Sequence, residues 1–216
     1  MENLEDLYIR LTTEGLEKRD YSRTFQDEGM RIETVMPSCF EGYAKIMIPW
    51  SINVDAPDKY FKEIKNWRPV TWKEVCKIYE AHYHNEISPF SFDYKFKGVR
   101  YGLLYHEYSS MPVDLITPLF EILKKHTKSN LLIWNSQRKV EEISIDKFLL
   151  ANENSNLFST HVTKKGEWMT YVGHESYCIT IGGKYDLIDD LLKSKELEVL
   201  ECTPLTRIDW HSDKIN

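Results

Sequence analysis

The sequence predicts an α+β fold: a single domain over residues 1–216, with a mainly antiparallel or mixed β-sheet and several short helices packed on it. Three observations predict it. Strand-like and helix-like segments are interspersed without the regular βαβ alternation that builds a parallel sheet. The clearest strand signals come as neighbouring pairs joined by a few polar residues, the mark of local antiparallel hairpins. The helical stretches are short, and each carries one apolar stripe to lay against a sheet.

Taken in order, Leu4, Leu7, Tyr8 and Leu11 recur at helical spacing and predict a short opening helix. Residues 12–33 are charged and weakly patterned, which predicts an irregular or mobile stretch. Tyr43 to Ile48 reads as a strand ended by Pro49, and Tyr60, Phe61 and Ile64 as a short helix after the Asp55–Asp58 turn. Thr71 and Glu74 have the spacing of a capping box, in which the hydroxyl accepts from the Glu74 amide and the carboxylate reaches back. The helix it opens carries Trp72, Val75, Cys76, Tyr79 and Tyr83 along one stripe. Phe92, Tyr94 and Phe96 alternate with Asp93 and Lys95, and Lys97-Gly98 offers a turn into Val99–Tyr105, giving an aromatic hairpin.

Further on, Pro118 suits the first turn of a helix capped by Thr117, with Leu119, Ile122 and Leu123 inward. Leu131–Trp134 is a buried strand, Ser144 caps a helix through Leu150, and Asn152–Asn156 is a loop. Trp168–Val172 and Tyr177–Ile181 are strands separated by the polar turn Gly173–Ser176. Gly182-Gly183 is expected to break the second strand. In the helix that follows, Leu187, Ile188, Leu191 and Leu192 share one face, and Asp186, Asp189 and Asp190 the other.

A chain of 216 residues buries roughly 70% of its unfolded surface, so neither a disulfide nor a metal is needed to hold it together. The net charge of −6 argues against a nucleic-acid binder, which carries a basic face. It suits a basic partner instead. The basic tracts, Lys124-Lys125-His126 with Lys128 and Lys164-Lys165, read as a helix end and a turn. Cys39, Cys76, Cys178 and Cys202 form no Cys-x-x-Cys pair and read as buried thiols that pack as small hydrophobes. The acidic amino terminus lacks a secretory signal, and no apolar run approaches the ~20 residues needed to span a bilayer. A cytoplasmic protein without membrane contact is expected. Thirteen tyrosines and six tryptophans fit sheet packing first and an interaction surface second.

Two histidine–carboxylate groups invite a metal or acid–base reading. His82 and His84, with Glu80 and Glu86 beside them, sit where the capped helix should end; their rings converge only if the chain has already left the helix. Asp209, His211 and Asp213 alternate, and in an extended strand all three share a face. The plainer readings are a helix end favoured by the dipole and a solvated tail anchored by Trp210. His106, His161 and His174 read as polar residues at sheet edges. No serine has a nucleophile-elbow context. Gly182-Gly183-Lys184-Tyr185 stands between strand and helix but lacks the phosphate-loop pattern, and reads as a joint.

The run Tyr177–Leu192, the strand Leu197–Glu201 and the late Trp210 resemble the closing segment of small acidic bacterial protein families, some of whose members are immunity proteins that neutralise a toxin by binding it. The resemblance implies a binding role and no catalytic residue. The leading expectation is therefore a non-enzymatic, cofactor-free cytosolic protein that binds another protein, a basic toxin domain among the candidates. The surface expected to do so combines Asp186, Asp189 and Asp190 with the hairpin residues Phe92, Tyr94, Tyr101 and Tyr105. One alternative is a metal-assisted hydrolase built from His82, His84, Asp209, His211 and Asp213; another is a small-molecule binding module.

Overall fold

The computed structural model describes residues 30–53, 67–89, 92, 103–104, 113–134, 140–151, 160–172, 177–209 and 212–216. The helices expected at residues 4–11 and 60–64, the loop 152–156, Tyr94, Tyr101, Tyr105, His106, His174, Trp210 and His211 lie outside the described residues.

A 3-10 turn at Ile32–Thr34 leads into β1 (Gly42–Met47), β2 (Trp50–Asn53), β3 (Trp67–Val70), α1 (Trp72–Tyr79), β4 (Leu103–Leu104) and α2 (Val113–Lys125). The chain continues through β5 (Leu131–Trp134), β6 (Val140–Ile143), α3 (Ile145–Ala151), β7 (His161–Thr163), β8 (Met169–Tyr171), β9 (Cys178–Gly183), α4 (Tyr185–Leu192) and β10 (Val199–Cys202). Seven strands form one antiparallel sheet in the order β10-β1-β9-β8-β7-β5-β6, and β3-β2-β4 form a small second one. The fold is α+β, as expected. No helix among the described residues is long and apolar enough to cross a membrane.

Period two divides the large sheet into two faces. Ala44, Ile46, Ile179 and Ile181 pack under α2, α3 and α4, which contribute Leu119, Phe120, Leu123, Phe148, Leu187 and Leu191. On the opposite face, Tyr43, Leu132, Val162 and Met169 meet Ile32, Met36 and Phe40. A third cluster gathers Met47, Tyr177 and Cys178 with Trp50, Trp72, Tyr79 and Phe92. The capping box at Thr71 forms as expected: Thr71 Oγ1 accepts from the Glu74 amide at 3.2 Å and Glu74 Oε2 accepts from the Thr71 amide at 2.9 Å. Ser144 Oγ likewise accepts from the Lys147 amide at the head of α3.

Several expectations are corrected. Gly182 and Gly183 do not break β9 but extend it, in register with Tyr43 and Gly42. They are glycines because neighbours close over them: a Cβ at Gly182 would lie 2.4 Å from the Phe40 ring, and one at Gly183 2.6 Å from Leu187 Cδ2. Pro118 is inside α2 rather than in its first turn. An interior proline costs about 3 kcal/mol, but the preceding turn buries Leu115 and Ile116, each worth about 1.5–3 kcal/mol, so packing wins. Of the stretch 12–33, residues 30–33 are described, with the 3-10 turn beginning at Ile32. Ile32 is fully buried, and its amide donates to the Thr206 carbonyl. Leu192, expected inward, is exposed.

His161 is no edge residue. β7 lies between β5 and β8, and its imidazole is fully enclosed, edge-on to Phe120 and Phe148, with Nδ1 2.9 Å from Thr170 Oγ1. Burial pushes it down from 6.5 to about 3, so the ring is neutral at physiological pH. Cys76, Cys178 and Cys202 are buried free thiols as expected, but Cys39 is exposed.

Candidate functional site

Three segments remote in sequence meet at one end of the helical face. The first is the exit of α2. Lys124 and Lys125 close its last turn, where cations meet the negative end of the helix dipole. The His126 ring then bridges to α4, with Nε2 2.8 Å from Asp190 Oδ2 and Nδ1 3.8 Å from Asp186 Oδ2. Beyond it the Thr127 and Ser129 hydroxyls both donate to Glu167 Oε2, Ser129 at 2.6 Å.

The second segment is the β7–β8 turn. Gly166 has φ 68°, a left-handed conformation that favours glycine, and its amide donates to the Thr163 carbonyl at 2.8 Å. Thr163 Oγ1 accepts from the Glu167 amide at 2.6 Å, which sets Glu167 facing the α2 exit. The third segment is the β9–α4 junction, where Lys184 is the N-cap of α4 with extended backbone and no side-chain capping bond.

Together they enclose a cleft of about 320 Å³ lined by Lys125, His126, Thr127, Lys128, Lys165, Glu167, Lys184, Asp186 and Leu187. Lys124, Lys164 and Lys193 nearby are paired with Asp146, Glu142 and Asp189. By contrast Lys125, Lys128, Lys165 and Lys184 make no ion pair among the described residues. All four are exposed, and they share the cleft lining with the carboxylates of Glu167 and Asp186, so the lysines outnumber the acids there. Lys184 also stands against local preference. An N-cap favours Ser, Thr, Asp or Asn by about 1 kcal/mol, and a cation there opposes the helix dipole by about 0.3–1 kcal/mol more. The first amides of α4 find other acceptors: Tyr185 donates to Glu41 Oε2 at 3.3 Å and Leu187 to Asp186 Oδ1 at 2.9 Å.

The site residues expected from sequence are placed differently. Asp186, Asp189 and Asp190 lie on the exposed edge of α4 as expected, but two of them hold His126 and Asp189 pairs with Lys193 at 2.7 Å. Phe92 is not on the surface. It is fully enclosed, with its ring 5.3–5.5 Å from those of Tyr79 and Trp50. Tyr94, Tyr101 and Tyr105 lie outside the described residues.

The histidine–carboxylate group is partly assembled. The chain leaves α1 at Glu80, whose φ of 55° turns it out of the helix, and the His82 and His84 rings then come within 5.7 Å. His84 Nε2 lies 3.1 Å from Asp213 Oδ1 and its Nδ1 accepts from the Glu86 amide at 3.2 Å. Nε2 also lies 3.4 Å from the Asn216 side-chain amide, so both ring nitrogens of His84 are engaged within the protein. Asp213 Oδ1 also accepts from the Ile215 and Asn216 amides, and Oδ2 from the Asn216 side chain. Asp209 does not share this site: Arg207 holds it through two bonds of 3.0 Å. His211 lies outside the described residues. No group of three or more His, Cys, Asp or Glu that could hold a metal occurs among the described residues. These bonds join residues 213–216 to the α1 exit.

The lysine cleft is not legible in the sequence as a site. Its two basic tracts are visible there, one at a helix end and one at a turn, but 40 residues separate Lys125 from Lys165 and the sequence offers no sign that they meet. Comparison of the chain with protein-family models, with curated proteins and with solved structures returned no match.

Proposed function

We propose that this protein is a binding module that takes a small anionic ligand in the cleft between the α2 exit, the β7–β8 turn and the head of α4. One observation carries the reading: in a chain of net charge −6, four lysines that make no ion pair among the described residues line a single cleft. Lys125 and Lys128 would hold the anion from one side, Lys165 and Lys184 from the other. Charge-assisted bonds of this kind are each worth about 1.5–3 kcal/mol.

Calorimetric titration with inorganic phosphate and pyrophosphate at low salt tests it. Saturable one-to-one binding that weakens at least tenfold in Lys128→Ala/Lys165→Ala is expected, and so is weakening with added salt. No saturation by either anion, or equal affinity in the folded double variant, would overturn the reading.

A protein partner is the second reading, and the outer edge of α4 favours it. Tyr185 is 68% exposed and Leu192 38% exposed, seven residues apart on one helix face with Asp189 between them. Aromatic and aliphatic anchors beside negative charge suit a basic protein, such as the toxin domain implied by the C-terminal resemblance. If the basic product of an adjacent reading frame binds the chain, Tyr185→Ala/Leu192→Ala should weaken that complex. Unchanged affinity in a verified complex removes this face.

A further inference from the structure

We infer that the ligand is a phosphate monoester carrying a hydroxyl, with the lysines on the phosphate and Glu167 Oε1 accepting the hydroxyl; this rests on the cleft being an anion site. Glu167 is the feature a plain anion site does not explain. A carboxylate in such a cavity repels phosphate, yet this one is fixed there: Thr127 Oγ1 and Ser129 Oγ both donate to Oε2, and the Glu167 amide is tied to Thr163. Oε1 makes no hydrogen bond or ion pair among the described residues, although the residue is only half-exposed. The strut between the α2 exit and the β7–β8 turn uses one oxygen, which leaves Oε1 as an acceptor in a cleft lined by lysines.

Size points the same way. A water takes about 30 Å³ of liquid, so a phosphate of five heavy atoms takes at most about 150 Å³ and leaves about half of a cleft of about 320 Å³. A ligand that fills the rest and offers a donor turns Glu167 from a repulsive neighbour into a selective one. A site built to receive a hydroxyl discriminates against the analogue lacking it, because the acceptor is then left unpaired.

The probes are glycerol 3-phosphate and propyl phosphate, matched in length and differing in their hydroxyls, titrated into the full chain and into Glu167→Gln. The glutamine keeps an oxygen for Thr127 and Ser129 and places an amide where Oε1 stood; its melting curve checks the fold. The expected result is about tenfold tighter binding of glycerol 3-phosphate by the native chain, with the preference lost in Glu167→Gln and propyl phosphate bound as well or better. If both esters bind alike, or the preference survives in Glu167→Gln, the inference fails and the anion site stands. If neither ester nor inorganic phosphate binds, the anion site itself falls.

Discussion

The enclosed His161 makes the stability of this protein depend on pH in a way that can be worked out beforehand. In the folded chain, burial among Phe120 and Phe148 holds the imidazole at about 3, against 6.5 when it is free in water. Between those two values the unfolded chain carries a proton on this ring and the folded chain does not, so falling pH favours unfolding. The neutral ring's contribution is complete above 6.5 and is lost progressively as pH falls towards 3. The slope is about 1.4 kcal/mol per pH unit, so going from pH 7 to pH 5 removes about 2 kcal/mol through this one group. Urea unfolding of the native chain and of His161→Gln at pH 7, 6 and 5 isolates it, because every other titrating group is common to both. The glutamine variant is the less stable at pH 7, and the gap should narrow by about 2 kcal/mol at pH 5. A gap constant across that range would refute the reasoning. If the variant does not fold, the imidazole proton resonance decides: no titration shift between pH 7 and 4.5 is expected, and a midpoint near 6.5 would refute it.

Two further outcomes test how the site and the core are built. Lys184→Ser should supply α4 with the hydroxyl cap it lacks and remove a cation from the positive end of the helix, raising stability by about 1 kcal/mol while weakening phosphate binding; a loss of stability in urea melts would show that Lys184 serves the helix after all. Phe92→Ala should cost about 3–5 kcal/mol of unfolding free energy, because its ring closes the cluster of Trp50, Trp72 and Tyr79; a cost below about 1 kcal/mol, typical of a surface position, would return Phe92 to the docking surface expected from sequence.

Much of the secondary structure was legible because it obeys short-range rules. The Thr71 capping box, the strand Leu131–Trp134, the Ser144 cap and the inward face of α4 at Leu187, Ile188 and Leu191 all depend on residues within one or two turns of each other. Pro118, Gly182 and Gly183 were misleading for the opposite reason. Local preference marks each as a boundary, but what decides them is what packs on them, Leu115 and Ile116 beside the proline and Phe40 and Leu187 over the glycines. Lys45 shows the same limit. Alternation directs it off the helical face, yet the chain around Ile87 and Tyr177 covers it, leaving Nζ 3.5 Å from the Ile87 carbonyl and 5.2 Å from the Tyr177 ring centre.

The sequence by itself determined the class of the fold, most helix and strand positions among the described residues, and a net negative charge, since periodicity, capping and composition are properties of neighbouring residues. Only the tertiary structure decided which charges are spoken for. Partners are assigned by distance in space: Asp186 and Asp190 face the His126 ring, Asp189 pairs with Lys193, and Asp209 with Arg207. Lys125, Lys128, Lys165 and Lys184, from three separate stretches, were left together around one cavity. Coulomb energy falls with separation in ångströms and takes no account of separation along the chain.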